Sequence, residues 1–418
     1  MTENKMLRVP RNYLLYLCVV AVFGVCWLWL SRIVPRARVP AVGTQNNGAS
    51  FERWEKEIRN ETLGFQKILC INLPERTDRF DAMRLAATAS DMDLYFVDGI
   101  RGEMVSDRVL PLGAEKVLLS LGQRGKWRAH MDALLAVVQE NLTTALIVED
   151  DVDWDVRIKS QLVQFARGAS VLTQPLRGSR PGFADPSFPN PNTKVEADSS
   201  QFEIDMADAP ETVVPSDSPY GDSWDVLWLG HCGTKFPEAG SWPSTPLGRA
   251  VFRNDDTVPQ TQHLGAYSHL AFEYSTDELQ QTYPNHTRVV HHAAGTSCSL
   301  AYAVNQRSAR RLLYELGLKK LNAQFDLMLS QYCDGKDGRQ YHNCLTVQPA
   351  LIKSHQPAGL KSSLSDVSTD DDDGMVLSDP FTNHIRVSTR INLSRLLEGT
   401  PTLVDSFPDD EPPTNFDT

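Results

Sequence analysis

Residues 145–155, ALIVEDDVDWD, decide the fold, because a short aliphatic run passes directly into a cluster of carboxylates. The aliphatic residues 145–148 predict a buried β-strand. A helix that leads into a buried strand is typical of α/β proteins. Upstream of this strand, apolar residues recur at intervals of three and four, as on one face of an amphipathic helix: they are Trp127, Met131, Leu134, Val138 and Leu142.

Further short apolar runs extend this pattern along the chain. A second amphipathic helix is expected to end at Gly317, where a glycine can close the last turn. Strands alternating with helices favour an α/β fold with a mostly parallel central sheet. The additional strands are predicted at residues 67–73, 93–97, 225–229, 299–304 and 345–352.

The charge of the chain excludes one broad class of function. Its 418 residues include 41 Lys and Arg against 53 Asp and Glu, which gives a formal net charge of -12. Because an acidic surface repels a phosphate backbone, the chain is not expected to bind nucleic acid. Hydrophobic residues make up 41% of the chain, which is enough to form a packed core.

Residues 13–30, YLLYLCVVAVFGVCWLWL, contain no charged residue and have aromatic residues near both ends. A membrane-spanning helix needs about 20 apolar residues, whereas the apolar part of a cleaved signal peptide has about 7–15. We therefore predict a retained single-span anchor, with residues 1–12 as a cytosolic tail and residues 31–64 as a stem. Lys and Arg are equally frequent on the two sides of the span, so charge alone does not set its orientation.

Four N-x-[S/T] sequons follow the span, at Asn60, Asn141, Asn285 and Asn392, and they favour a lumenal or external location for the bulk of the chain. Asn60, on the stem, is expected to be more accessible than Asn141 at the end of a predicted helix. Two of the seven cysteines lie in the span, and the odd number that remains leaves at least one thiol unpaired within the chain. None has a C-x-x-C spacing, which disfavours a zinc site.

Two segments have the composition of loosely ordered chain. Prolines mixed with Ser, Asp and Asn, with few aliphatic residues, predict a disordered insertion at about residues 168–222. Residues 368–418 are predicted to form an acidic C-terminal tail. The main folded domain is expected to span residues 65–367.

The acids that follow the strand at residues 145–148 are the strongest chemical signal in the chain. Ligands of α/β sheets bind beyond the carboxyl ends of the strands. Glu149, Asp150 and Asp151 would repel one another there unless a cation neutralised them, and Mg²⁺ and Mn²⁺ prefer carboxylate, water and phosphate oxygens. The cluster therefore suggests a metal that bridges the protein to a diphosphate, and the alternative is a solvated acidic turn.

Four other residues are candidates for a functional site. Asp326 heads an apolar segment, where the commoner role of an acid is in the first turn of a helix. Arg76 and Arg79 follow the first predicted strand and could hold a phosphate or ribose, or lie in a solvated turn. His130 lies on the predicted amphipathic helix, where a histidine is more often a border residue than a ligand.

In their order along the chain, these motifs resemble those of glycosyltransferase family 25, which comprises the lipopolysaccharide-type glycosyltransferases and the collagen galactosyltransferases. Residues 71–79 are similar to its opening INL-x-x-R-x-x-R, and residues 125–151 are similar to its SH and LxLEDD motifs. Ala129 replaces the usual Ser before the His, and Ser308 stands where the family has Gly before Ala. The resemblance covers about residues 65–367, with the Pro-rich stretch as an insertion.

The resemblance implies a GT-A-like nucleotide-sugar-binding domain. Its donor would be a UDP-sugar, UDP-galactose or UDP-glucose, with Mn²⁺ or Mg²⁺ as cofactor. Which two of the three acids touch the ion stays open. The implied site residues are the metal ligands Glu149, Asp150 and Asp151, the nucleotide-binding residues Asn72, Arg76, Arg79 and His130, and the catalytic base Asp326 of an inverting transfer.

Together with the anchor, stem and sequons, this interpretation predicts a single-pass type II membrane glycoprotein of the Golgi or endoplasmic reticulum. Its lumenal catalytic domain would act on a glycan, glycoprotein or glycolipid acceptor. Two alternatives are a catalytically silent, membrane-anchored sugar-binding or scaffold protein on the same fold, and a nucleotide-sugar hydrolase. The presence of every acid that the chemistry needs favours the transferase.

Overall fold

The computed structural model describes residues 47–178, 182–189, 202–238, 245–265, 277–360, 367 and 376–412. The predicted cytosolic tail and span, and residues 31–46 of the predicted stem, lie outside the described residues. Among the helices of the described part, none combines the length and the apolar character that crossing a bilayer requires.

A mixed, twelve-stranded sheet forms the centre of the described fold, with the strand order β2-β1-β3-β9-β6-β10-β8-β7-β5 along its main path. Strand β11 lies off this path and pairs with β6, β4 and β14. The strands are β1 (Lys67–Asn72), β2 (Leu94–Asp98), β3 (Thr144–Glu149), β4 (Val152–Trp154), β5 (Glu203–Asp205), β6 (Val226–Gly230), β7 (Arg249–Phe252), β8 (Arg288–His292), β9 (Ala301–Asn305), β10 (Cys344–Gln348), β11 (Ile352–Gln356) and β14 (Phe381–Thr382), with β12 (Gly359–Leu360) and β13 (Val376–Leu377) as a separate pair.

Helices pack on the two faces of this sheet, as expected for an α/β fold. Three apolar clusters of the described residues, which share no residue, contain most of the buried apolar side chains around the sheet. The helices are α1 (Asn47–Ile58), α2 (Thr77–Ala89), α3 (Leu121–Gln139), α4 (Ile158–Thr173), α5 (Asp277–Thr282), α6 (Gln306–Tyr314), α7 (Phe325–Asp334) and α8 (Leu393–Leu397).

Most strands of the sheet run in one direction, which agrees with the predicted α/β class. Strand β3 is parallel to β1, and β10 is parallel to β6, but β9 lies between these two groups and is antiparallel to both β3 and β6. The strand predicted at residues 345–352 is two strands, β10 and β11. They separate around Pro349, because a proline has no backbone N–H to donate to a neighbouring strand.

The predicted amphipathic helix is confirmed as α3. It begins with a capping box, in which Gln123 N donates to Ser120 Oγ and Ser120 N donates to Gln123 Oε1. The second amphipathic helix, α6, does not end at Gly317, because the chain continues in a π-helical turn at Glu315–Lys319. A Cβ at Gly317 would lie only 2.9 Å from Met131 Sδ, so this glycine permits close packing of the turn on α3.

The structure differs from the prediction of a disordered insertion at residues 168–222. Helix α4 continues to Thr173, and β5 pairs with β7. The ring of Tyr220 is fully buried, stacks on Phe65 and donates its hydroxyl to the Leu63 carbonyl at 2.6 Å. The prediction failed because the segment is rich in turn-forming residues, although aromatic side chains such as Tyr220 pack its described parts on the core. Residues 179–181 and 190–201 lie outside the described residues.

The predicted acidic tail is also packed where it is described. Residues 376–412 contain β13, β14 and α8, and the side chains of Phe381, Ile385 and Phe407 are buried. The polar composition did not predict this packing, because buried hydrogen bonds as well as apolar contacts hold the segment in place. Its polar partners, Asp153 and Asp155, lie just beyond the acidic strand end.

Candidate active site

The acidic cluster lies at one edge of the central sheet. Strand β3 ends at Glu149, and the turn at Asp150 and Asp151 connects it to β4. Strands β1, β3 and β6 run in the same direction, so β1 ends at this edge with Asn72 and β6 ends there with Gly230. The antiparallel β9 begins there, which places Ser299, two residues before it, beside the acids. This is the edge at which α/β proteins bind ligands.

Glu149 is held by three side chains. Lys126 Nζ lies 2.9 Å from its Oε1 and 3.1 Å from its Oε2, and Ser299 Oγ donates to Oε1 at 2.7 Å. His130 Nε2 lies 3.3 Å from the same oxygen. Burial would raise the pKa of Glu149, but Lys126 and His130 outweigh it and hold the pKa well below its ordinary value. Glu149 is therefore an ionised carboxylate with its own counter-ion.

Asp150 is likewise paired within the chain. Arg79 Nη1 lies 2.7 Å from Asp150 Oδ1, and Asn72 Nδ2 donates to Asp150 Oδ2 at 2.8 Å. Both carboxylate oxygens therefore have a protein donor. Asn72 positions this acid from the end of β1, and Arg79 reaches it from the first turns of α2.

Asp151 is the least satisfied of the three acids. Its Oδ1 is buried without a hydrogen-bond partner, and its Oδ2 lies 3.9 Å from Arg79 Nη1. Burial and the nearby charges of Glu149 and Asp150 raise the pKa of Asp151, against the opposing effect of Arg79. An unpartnered, buried carboxylate oxygen at a strand end is a position for a cation or a ligand donor.

Of the three acids, Asp151 is the one with an oxygen available to a divalent cation. In the part of the chain that the structure describes, no three His, Cys, Asp or Glu side chains converge as a metal site. The oxygens of Glu149 and Asp150 already accept from Lys126, Arg79 and neighbouring side chains. Asp151 remains available, and Mg²⁺ often uses only one or two carboxylates together with substrate phosphates.

The two later acids of ALIVEDDVDWD have structural roles. Asp153 is fully buried and accepts from the hydroxyls of Thr382 and Ser388 and from the backbone N–H of Arg390 and Trp154. Asp155 accepts from the Val387 N–H and pairs with the guanidinium of Arg157. These two acids dock residues 382–390 against β4 and take no part in the pocket.

A pocket opens beside Glu149, Asp150 and Asp151. Arg79, Lys126 and His130 contribute to its wall, and glycines form much of the rest. These glycines are Gly99, Gly102, Gly122 and Gly125. At Gly102 and Gly125 the missing Cβ lets the loop and helix α3 approach closely, because a Cβ would lie 1.8 Å from the Leu121 carbonyl oxygen and 2.5 Å from the Ile100 carbonyl oxygen, respectively.

Gly102→Ala is expected to lower the free energy of unfolding by about 1–3 kcal/mol or more. A Cβ at Gly102 would lie 1.8 Å from the Leu121 carbonyl oxygen, so the backbone at the start of α3 would have to move. Urea unfolding measures the change, and Gly182→Ala is the matched control because a Cβ there meets no atom of the described residues within 4 Å. Equal stability of the two variants would contradict the close approach.

His130 connects the acidic cluster to helix α7. It is buried, its Nδ1 lies 3.0 Å from the Tyr302 hydroxyl, and its ring stacks on Phe325 at a centroid distance of 4.1 Å. Burial lowers the pKa of His130 despite its contact with Glu149. A neutral imidazole in this place orients Glu149 and packs against the residue that precedes Asp326.

Asp326 lies in the first turn of α7, as a helix-terminal acid would, and is largely buried. The Cys298 N–H donates to its Oδ2 at 2.9 Å. Burial alone would lower the pKa of Lys126, but the charge of Glu149 and, after it, that of Asp326 raise it, so Asp326 lies close enough to act on this ammonium. Asp326 is thus near the acidic cluster without being part of the pocket wall that Lys126 lines.

Arg76 is placed differently from the other candidates. Its guanidinium is paired with Asp78 through two hydrogen bonds, and it does not line the pocket. Its carbonyl accepts from Asn72 Nδ2 at 3.3 Å, so its backbone supports the end of β1.

Three residues in the site were missed by the sequence analysis. Ser299 and Arg390 are separated from the acids by 150 and 240 positions, and no local pattern links them. Lys126 did leave a signal, because it precedes His130 by four residues and so lies on the same face of α3. Because Lys126 and His130 share a helix face, their contact with the same acid could have been predicted from the sequence.

The chain has detectable relatives among known proteins. It is 24% identical over 131 residues to procollagen galactosyltransferase 1-B of Xenopus laevis, a match of 29% of this chain and 21% of that protein. It is 24% identical over 115 residues to procollagen galactosyltransferase 2 of Mus musculus and of Homo sapiens, covering 25% of this chain and 18% of each. No protein-family model matches the chain. The chain thus spans about a fifth of the length of the curated relatives that it matches.

Proposed function

We propose that this chain is a glycosyltransferase that moves a hexose, galactose or glucose, from a UDP-sugar to a hydroxyl group of a glycan, protein or lipid. The observation that carries the proposal is the pocket at the ends of β1 and β3, where paired acids and cations line a glycine-rich wall. The similarity to procollagen galactosyltransferases supports a hexosyl transfer.

Asp326 is the proposed base of an inverting transfer. Its Oδ2 accepts from the Cys298 N–H, so Oδ1 is the atom that would take the proton of the acceptor hydroxyl. The acceptor oxygen then bonds to the anomeric carbon as the bond from that carbon to the diphosphate oxygen breaks. The electron pair leaves with UDP, and the configuration at the anomeric carbon inverts.

The charge that develops on the leaving diphosphate needs stabilisation. In this proposal the ring of cations around the acids supplies part of it, with Arg79 and Lys126 on the pocket wall. Asp151, with its unpartnered oxygen, is the residue that would hold a Mn²⁺ or Mg²⁺ together with the diphosphate. Such an ion would further neutralise the leaving group. Asn72 and His130 hold Asp150 and Glu149 in place.

A donor screen tests the proposal. The purified full-length protein is incubated with individual UDP-sugars, with and without Mn²⁺, and release of UDP is measured. We expect release with UDP-galactose or UDP-glucose that increases when an acceptor with free hydroxyls is added. Release of free hexose at the same rate with and without acceptor would indicate a nucleotide-sugar hydrolase, and no release with any donor would favour a silent binding protein.

The location of the chain is part of the same proposal. Two disulfides, Cys232–Cys298 and Cys333–Cys344, support an oxidising compartment, and Cys70 remains as a free, buried thiol. The catalytic part would then face the lumen of the Golgi or endoplasmic reticulum, with residues 13–30 as its membrane anchor and residues 1–12 in the cytosol.

The sequons give this location a testable pattern. Asn60, Asn141 and Asn285 are exposed, whereas Asn392 is fully buried and its Nδ2 donates to the carbonyls of Ser388 and Val404. Because a glycan is attached to that nitrogen, we expect glycan on Asn60 and none on Asn392. Endoglycosidase treatment should increase gel mobility, Asn60→Gln should remove part of the shift, and peptide mass spectrometry should find Asn392 unmodified. Unglycosylated protein that protease digests in intact microsomes would contradict a lumenal location.

A further inference from the structure

The cation nearest to the acidic strand end is part of the chain. Lys126 lies in the second turn of α3, and its side chain is 21% exposed at the pocket wall. Its ammonium contacts both oxygens of Glu149, at 2.9 and 3.1 Å. A metal ion bound to Glu149 would therefore have to displace this ammonium.

Lys126 is also accessible to a ligand. Lys126 lines the pocket together with Gly122 and Gly125 of the same helix, and part of its side chain is exposed there. An ammonium group has three N–H donors, and Glu149 can accept two of them in the observed geometry. The third donor remains for an oxygen of a ligand that enters the pocket.

Two of the three acids beside the pocket are paired with cations of the chain. Asp150 is neutralised by Arg79, and Arg390 Nη1 lies 3.5 Å from the Asp150 carbonyl oxygen and contributes a further positive charge next to the acids. Paired acids do not oppose the entry of an anion as three free carboxylates would. A diphosphate would meet two paired acids, the ammonium donor of Lys126 and, beside them, Asp151 with its unpartnered oxygen.

We propose that Lys126 binds the diphosphate of the nucleotide-sugar directly, so that the donor binds to this chain without a divalent cation. The inference rests on the proposed function, because it concerns the same pocket and the same donor. Asp151 alone would hold an added ion, which therefore strengthens binding but is not required for it. Glu149 holds the ammonium in place. The ammonium would therefore also stabilise the negative charge on the diphosphate while the bond from the diphosphate to the sugar breaks.

Calorimetric titration of the full-length protein with UDP, once with EDTA and once with Mn²⁺, tests this inference without relying on turnover. The wild-type protein is expected to bind UDP in EDTA. Because a charge-assisted hydrogen bond is lost, Lys126→Met should weaken that binding about 10- to 100-fold. Lys126→Arg should keep most of it, and Lys116→Met, which removes an exposed lysine outside the pocket, should have no effect.

A second comparison guards against misfolding, because Lys126→Met leaves Glu149 buried without its counter-ion. Glu149→Gln removes the acid and should bind UDP in EDTA at least as tightly as the wild type. The double variant Lys126→Met/Glu149→Gln has no unpaired charge, and it should bind about 10- to 100-fold more weakly than Glu149→Gln.

The outcomes separate the two proposals. Binding of UDP by the wild type only in the presence of Mn²⁺, or equal affinities of Glu149→Gln and the double variant in EDTA, would overturn the role of Lys126 and leave the transferase proposal intact. No UDP binding under either condition would overturn the UDP-sugar proposal and this inference with it.

Discussion

Asp326→Asn is expected to lower the rate of hexosyl transfer by about 10²- to 10⁴-fold, the usual contribution of a positioned general base. An asparagine keeps an oxygen that can accept from the Cys298 N–H, so the loop before β9 should stay in place. It cannot take a proton from the acceptor hydroxyl. The rate of UDP release in the presence of donor and acceptor measures the change, and UDP binding should be unchanged.

Asp337→Asn is the matched control, because Asp337 is exposed and follows the end of the same helix. It carries the same change of charge and should leave the rate unaltered. If Asp326→Asn transfers hexose as fast as Asp337→Asn does, another acid must act as the base. A loss of UDP binding along with turnover would instead indicate that Asp326 maintains the pocket.

Asp153→Ala is expected to lower the free energy of unfolding by at least about 3 kcal/mol. The carboxylate is fully buried and accepts from Thr382, Ser388, Arg390 and the Trp154 N–H. Removing it leaves several buried donors without an acceptor, and each such group costs about 1–3 kcal/mol. The midpoint of urea unfolding, followed by tryptophan fluorescence, measures the loss.

Two further variants calibrate this expectation. Thr382→Val removes one donor to the carboxylate and also the hydroxyl that lies 2.8 Å from the buried His355 Nδ1, so it should cost about 1–3 kcal/mol, less than Asp153→Ala. Asp208→Ala, at an exposed position, should be within about 0.5 kcal/mol of the wild type. An Asp153→Ala variant as stable as Asp208→Ala would show that residues 382–390 do not stabilise the fold.

The positions of several strands along the chain and the position of the acids could be predicted from the sequence, because both depend on local patterns, whereas the order of the strands in the sheet was not predicted. The aliphatic run at residues 145–148 indicates a buried strand wherever the chain lies, and Glu149 follows it at the sheet edge. The helix before it was predicted from the spacing of Trp127 and Met131, whose side chains are buried in the structure.

The partners of the acids could not be predicted in the same way. Glu149 and Asp151 read alike in the sequence, yet one is paired with Lys126 and Ser299, and the other has an unpartnered oxygen. The difference depends on residues brought together by the fold from distant positions. The roles of Asp150 as a metal ligand and of Asp326 as a base remain predictions.

Composition was least informative where polar residues are buried. The segment at residues 168–222 and residues 398–418 of the predicted acidic tail read as loosely ordered because they are rich in Pro, Ser and Asp. In the described parts, single aromatic residues such as Tyr220 and Phe407 anchor these segments. One buried ring in a polar segment has little weight in an average over composition, but its burial is worth about 1.5–3 kcal/mol.

The link between Asp153 and Thr382 has a consequence for how the protein is made. These residues lie 229 positions apart, so β4 has no hydroxyl partner for its buried acid until the segment with Thr382 has left the ribosome. A product that ended before Thr382 would keep the acidic turn but lose the segment that carries Arg390 towards it. Nonsense mutations and proteolytic cuts before residue 382 should therefore destabilise the acidic turn, and an affinity tag is better placed where it leaves residues 382–390 free to dock.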